Sequence, residues 1–188
     1  IVRKIRPEFA YLSAVAPAMI ASLFINWDLW AIATMMLAIY WFDRKQYLHS
    51  SLALALSIST KFLPIFLLIP IGFILWRDAK VKELVKYVAV VALTWIAINA
   101  PFALTTPTGW WRFYKLNLER GADWGSIWLA LEQLGLSLTN LNYLSVLLLL
   151  IALTTVAILL FELKYTPTLA SVAFIVLASV MLASKVYS

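Results

Sequence analysis

A chain of 188 residues that is 64% hydrophobic and 13% charged, with a mean hydropathy of +0.91, carries more apolar surface than a water-soluble core can bury. Its net charge of +6 comes from short basic clusters between apolar runs, not from one soluble face, which excludes a nucleic-acid partner and makes the charges a guide to membrane topology. The absence of cysteine excludes a disulfide framework and a thiolate metal site.

The apolar runs fall at roughly 9–25, 27–42, 50–76, 84–104, 138–161 and 168–184. A spanning helix needs ~20 residues, with ~17 a practical minimum. The chain begins at Ile1 without a signal peptide and ends at SKVYS straight after an apolar run. It therefore reads as an internal part of a longer, single polytopic membrane domain. The expected fold is all-α: a transmembrane helical bundle with a broken, re-entrant helix pair and an outer interfacial helix.

Basic residues cluster at Arg3, Lys4 and Arg6, at Arg44 and Lys45, at Arg77, Lys80, Lys82 and Lys86, and at Lys164. Placing all four clusters in the cytoplasm orients the chain in a plasma membrane. Run 9–25 then goes outward and 27–42 returns, so Asn26-Trp27-Asp28 is an outer turn. Run 50–76 has cations at both ends and is interrupted by Lys61 and Pro64. Proline removes a backbone donor and clashes with the preceding turn, which predicts two short helices, about 50–62 and 63–76, meeting at an outer apex. Each is ~20 Å long at 1.5 Å per residue. Such an apex must be covered by protein or wetted by a cavity.

Run 84–104 carries the chain out again to NAPF, residues 99–102. An outer segment of about 105–136 follows, in which GWWRFYKLNLER (109–120) mixes aromatic and basic residues and suits a helix lying along the membrane surface. Run 138–161 returns inward to Lys164, and 168–184 leaves the terminal SKVYS outside. The five outer cations are Lys61, Arg112, Lys115, Arg120 and Lys185.

The polar interruptions thus segregate to one face, and ionisable residues at membrane depth mark functional sites. Cations beside carboxylates at a lipid–water boundary suit an anionic amphiphile such as a lipid phosphate. Asp28 is open to three roles: a general base, an ion-pair partner for Lys61 or Arg120, or a solvated turn residue. Lys61 beside the helix break suits a phosphate or an ion pair. In ERGADWGS, glycines allow a tight path that projects Arg120 and Asp123 from one loop, or the same residues form an ordinary ion-paired loop. Trp27 and Trp30 read as interface anchors. His49 has no second histidine and makes no metal site. No Walker loop, dinucleotide fingerprint or serine elbow is present, so no nucleotide cofactor is implied.

The stretch NWDLWAIATMMLAIYWFDRKQYLHSSLALALSISTKFLPIFLLIPIGFILWR (26–77) resembles the middle of glycosyltransferase family 87, polytopic mannosyltransferase-like enzymes of the GT-C class. The shared features are a polar outer turn, a basic inner loop and a helix broken by Lys-x-x-Pro. NAPF, ERGADWGSIW and SKVYS resemble later blocks of its actinobacterial branch, so the likeness covers residues 3–188. It implies a hexosyltransferase that takes mannose from a polyprenyl-phosphate-sugar donor and passes it to an extracytoplasmic lipid or glycan acceptor, with no metal or cofactor. By position, Asn26 and Asp28 would line the site and Lys61 would approach the donor phosphate. Arg120 and Asp123 would order the outer loop, and Lys185 would close the rim. The family's catalytic carboxylate falls in an outer loop upstream of Ile1, leaving Asp28 as the candidate base within this chain. Two other readings stay open: a transporter or flippase, whose broken helices also line polar sites, and a non-catalytic membrane subunit on the same scaffold.

Overall fold

The computed structural model describes residues 28–119, 121–124, 126–135, 141–162, 164–165 and 167–184, and there is no strand among the described residues. The run expected at 9–25 lies outside them. The helices are α1 (Asp28–Asp43), α2 (Tyr47–Thr60), α3 (Leu68–Arg77), α4 (Val81–Thr105), α5 (Pro107–Glu119), α6 (Ile127–Gln133), α7 (Leu141–Glu162) and α8 (Leu169–Ala183), with a 3-10 turn at Leu63–Leu67 before α3. The chain divides into two compact units, residues 1–100 and 101–188. The division falls at Pro101 inside α4, where the ring removes one N–H from the helix ladder.

In the first unit, α1 and α2 form an antiparallel hairpin along a seam of small residues. Ala31, Ala38, Ile39 and Phe42 make the buried stripe of α1, and Ser50, Ala53, Leu54, Ser57 and Ile58 are buried on α2. Ser57 Oγ donates to the Ala31 carbonyl and Ser50 Oγ to that of Ala38, both at 2.7 Å. The two contacts are seven residues apart on each helix and run in opposite order, which fixes the register. Small residues let the backbones approach, and the approach brings a hydroxyl within reach of a carbonyl on the facing helix. Since Ser50 spends its one proton on Ala38, Tyr87 of α4 is the donor in the 2.8 Å bond between its hydroxyl and Ser50 Oγ.

Two similar turns close α1 and α3. Lys45 and Ala79 both take the left-handed conformation, with φ of 59° and 58°. After α1, Gln46 N–H reaches the Trp41 carbonyl and Lys45 N–H that of Phe42. After α3, Lys80 N–H reaches Leu75 and Ala79 N–H reaches Trp76. Each is a Schellman closure that satisfies carbonyls left open by a helix end. Lys80 Nζ lies 3.3 Å from the Tyr47 hydroxyl, so the end of α3 sits beside the start of α2. The segment 47–80 is therefore a helical hairpin with its apex at the 3-10 turn. A methyl on Gly72 of α3 would meet Leu84 of α4 at 3.9 Å, an ordinary packing distance.

In the second unit, α7 and α8 pack against each other across the 163–168 connection. Pro107 opens α5, where its missing N–H costs nothing. Trp110, Trp111 and Tyr114 gather along that helix, with Trp110 and Tyr114 ring centres 4.9 Å apart. Burial pushes the Tyr114 phenol pKa up. Ser126 caps α6 by accepting the Leu129 N–H. This seven-residue helix lies within the segment read from sequence as an outer loop, and its brevity gave no periodic signal.

Among the described residues, two helical stretches, Val81–Thr105 and Tyr143–Glu162, are long and apolar enough to cross a membrane. A core helix of a soluble protein would be mostly buried, whereas the apolar stretches of these two are mostly exposed.

Candidate functional site

The site grows out of the end of the α1–α2 seam. One turn beyond Ser57, α2 stops at Lys61, whose backbone is extended at φ −147° and ψ 133° while its N–H still bonds the Ser57 carbonyl at 3.0 Å. Pro64 in the first turn of the 3-10 segment prevents the helix from simply resuming. One turn before Ala31, Asp28 opens α1, where a carboxylate complements the positive end of the helix dipole. The antiparallel register carries the two side chains together. Lys61 Nζ donates to Asp28 Oδ1 at 2.7 Å, and each side chain is 31% exposed. The pair is half-sheltered and still reachable, unlike a sealed structural bridge.

The opposite end of the same unit is basic. The turn after α1 carries Arg44 and Lys45, and the end of α3, the turn after it and the first residues of α4 carry Arg77, Lys80, Lys82 and Lys86. The Lys80–Tyr47 contact and the Tyr87–Ser50 bond hold these segments at one end. Several of the cations lean on rings: Arg44 lies 4.6 Å from the centre of Tyr40, and Arg77 lies 5.9 Å from that of Phe73. The Asp78 carboxylate, helped by the Tyr47 hydroxyl, raises the Lys80 pKa. From this end, α2 extends ~21 Å and α1 ~24 Å to the ion pair, whereas α4 runs ~37 Å at 1.5 Å per residue. The ion pair and the basic turns thus mark opposite ends of a hairpin shorter than its neighbour α4.

Of the other sequence-predicted site residues, Asn26, Arg120 and Lys185 lie outside the described residues. Asp123 belongs to the second unit. Its carboxylate accepts the Trp124 N–H at 2.8 Å and its carbonyl accepts that of Ser126, which ties the ADW turn to the cap of α6. Trp128, 7% exposed, then donates through Nε1 to the Ala183 carbonyl at 3.0 Å. That bond ties the first turn of α6 to the C-terminal end of α8.

Sequence reasoning named Asp28 and Lys61 and passed over Ser50, Ser57, Tyr87 and Trp128. The signal for the serines was present: Ser50 and Ser57 repeat at seven residues, as do Ala31 and Ala38. No group of three or more His, Asp or Glu side chains suited to a metal occurs among the described residues. No protein-family model, curated protein or solved structure matches this chain.

Proposed function

We propose that this chain is part of a polytopic plasma-membrane glycosyltransferase of the GT-C type, transferring a hexose, mannose by family likeness, from a polyprenyl-phosphate donor to an extracytoplasmic lipid or glycan acceptor. The observation that carries the reading is the Lys61–Asp28 pair at a helix break, on the end of the hairpin away from six clustered cations. By the positive-inside rule the basic turns face the cytoplasm, so the pair faces outward. A hairpin arm of ~21 Å is shorter than the ~30 Å hydrocarbon core, so the break sits below the outer boundary in a protein-lined or wetted recess. A lipid-linked phosphate, whose head and tail straddle that boundary, fits such a recess.

The chemistry asks mainly for charge and position. The bond between the sugar anomeric carbon and the donor phosphate oxygen breaks, and the phosphate leaves with its electron pair. The acceptor hydroxyl forms the new glycosidic bond and yields its proton to a carboxylate. Lys61 stabilises the charge developing on the leaving phosphate. Asp28, paired with Lys61 at 2.7 Å, acts as the counter-charge that holds the ammonium when no donor is bound. The general base is expected in the family's upstream outer loop. Asn26, Arg120, Asp123 and Lys185 remain substrate-binding residues by resemblance. The amphipathic α5 follows the apolar α4 after a single residue and suits the outer membrane surface, with Trp111 and Phe113 exposed.

In the full-length enzyme, Lys61→Ala is expected to lower turnover of polyprenyl-phosphate-mannose by at least tenfold, in the range lost with one charge-stabilising donor. Kinetics equal to wild type would remove Lys61 from the mechanism. The broken helix also suits a transporter. Uptake or flipping of a labelled lipid by reconstituted protein, without any glycosyl product, would favour that reading.

A further inference from the structure

We infer that Ser57 is a positioning residue for Lys61: its hydroxyl pins α2 to α1 one turn from Asp28, and its carbonyl holds the backbone of Lys61. Both bonds come from one residue. The Oγ donates to Ala31 at 2.7 Å and the carbonyl accepts the Lys61 N–H at 3.0 Å. Ala31 lies three residues after Asp28 on the same helix, so Ser57 connects the two halves of the ion pair through their backbones.

Ser57 is completely buried, whereas the pair it serves is 31% exposed, so the joint is rigid where the site is open. Helix α2 ends at Thr60 and the next residue is extended, which leaves Lys61 little other backbone support on the α2 side. A hydroxyl inside a helix is otherwise a weak choice, because alanine propagates a helix better. Its value here is the bond across the seam. Ser50 makes the same kind of bond to Ala38 and takes a second from Tyr87, but two turns away from Ser57, at the basic end. The two serines therefore differ in location rather than in chemistry.

The catalytic consequence rests on the reading of Lys61 as the phosphate-binding residue; the geometric claim does not. The test uses the full-length protein in open membrane fragments, where both faces meet a water-soluble acylating reagent at low conversion, read residue by residue by mass spectrometry. The acylation of Lys61 is taken relative to the exposed Lys82. In Ser57→Ala the ratio is expected to rise about threefold, the population shift that follows loss of an average interhelical hydrogen bond in a membrane protein. Ser50→Ala loses more hydrogen bonding but is expected to leave the ratio at the wild-type value. A flat ratio in Ser57→Ala, or an equal rise in Ser50→Ala, overturns the inference.

With donor substrate, Ser57→Ala is expected to lower kcat more than it raises KM, and to add nothing further in a Lys61→Ala background. A full additional loss in that background would mean that Ser57 acts on the fold and not through Lys61. Wild-type kinetics in Lys61→Ala would remove Lys61 from the mechanism and leave the geometric inference standing, because the acylation ratio needs no activity.

Discussion

At the scale of single residues, the distance and exposure of one ion pair decide what kind of pair it is. Lys61 and Asp28 meet at 2.7 Å with 31% of each side chain still exposed. Exposed pairs contribute at most about 1 kcal/mol, while leaving one partner of a sealed pair alone costs about 3–5 kcal/mol. Asp28→Asn is therefore expected to cost less than about 1 kcal/mol in a reversible unfolding titration in micelles, after discount for solvent screening. A loss of several kcal/mol would mean a closed structural bridge and would argue against an accessible site. Of the roles left open for Asp28, the contact with Lys61 is the one with an observed distance. Its partner could not be chosen from sequence because both Lys61 and Arg120 were plausible. The choice depends on helix register, which the Ala31–Ser57 and Ala38–Ser50 spacings encode but charge patterns do not.

At the scale of elements, the break at Lys61 was legible because proline and an isolated cation interrupt an apolar run. Helix ends were less so. The run drawn from residue 50 starts at Tyr47 in the structure, and the one drawn from residue 84 starts at Val81. In both cases polar residues that look like loop, His49 in one and Lys82 and Glu83 in the other, are helical, because the real stop signals are the left-handed turns before them. Neither turn has a glycine, so the usual sequence mark of a helix end is missing. A non-glycine residue in this conformation costs about 1–2 kcal/mol. Ala79, at φ 58°, is the clean place to test it, since Lys45 also carries a topological charge. Ala79→Gly is expected to stabilise the protein by about 1 kcal/mol, read as a higher denaturant midpoint in the same micelles. A lower midpoint would show that the turn is not strained as its φ implies.

At the scale of the whole molecule, the two units share one chemical pattern: each contains a long apolar helix that the described residues leave mostly exposed. Val81–Thr105 and Tyr143–Glu162 are long and apolar enough to cross a membrane, and their apolar stretches are mostly exposed. The two apolar helices were legible from composition and run length. The proposed side of each connection rests on charge, and the contacts that reach across helix ends say which connections share an end. In the first unit, Lys80 beside Tyr47 puts the basic turns at one end and the Lys61 break at the other. In the second, Trp128 on Ala183 puts α6 at the C-terminal end of α8, while Lys164 lies in the connection before α8 begins. Single cysteines introduced into the full-length protein test both assignments independently. Cysteines at Lys45 and Tyr165 are expected to react with a membrane-impermeant maleimide only after cells are permeabilised. Those at Lys61 and Trp124 are expected to react in intact cells, Lys61 more slowly because its side chain is 31% exposed while Trp124 is 82% exposed. Reaction at positions 61 and 124 from opposite sides would separate the helix break from the ADW loop. No single extracytoplasmic site could then use both Lys61 and Asp123, and the transferase reading would fall with it.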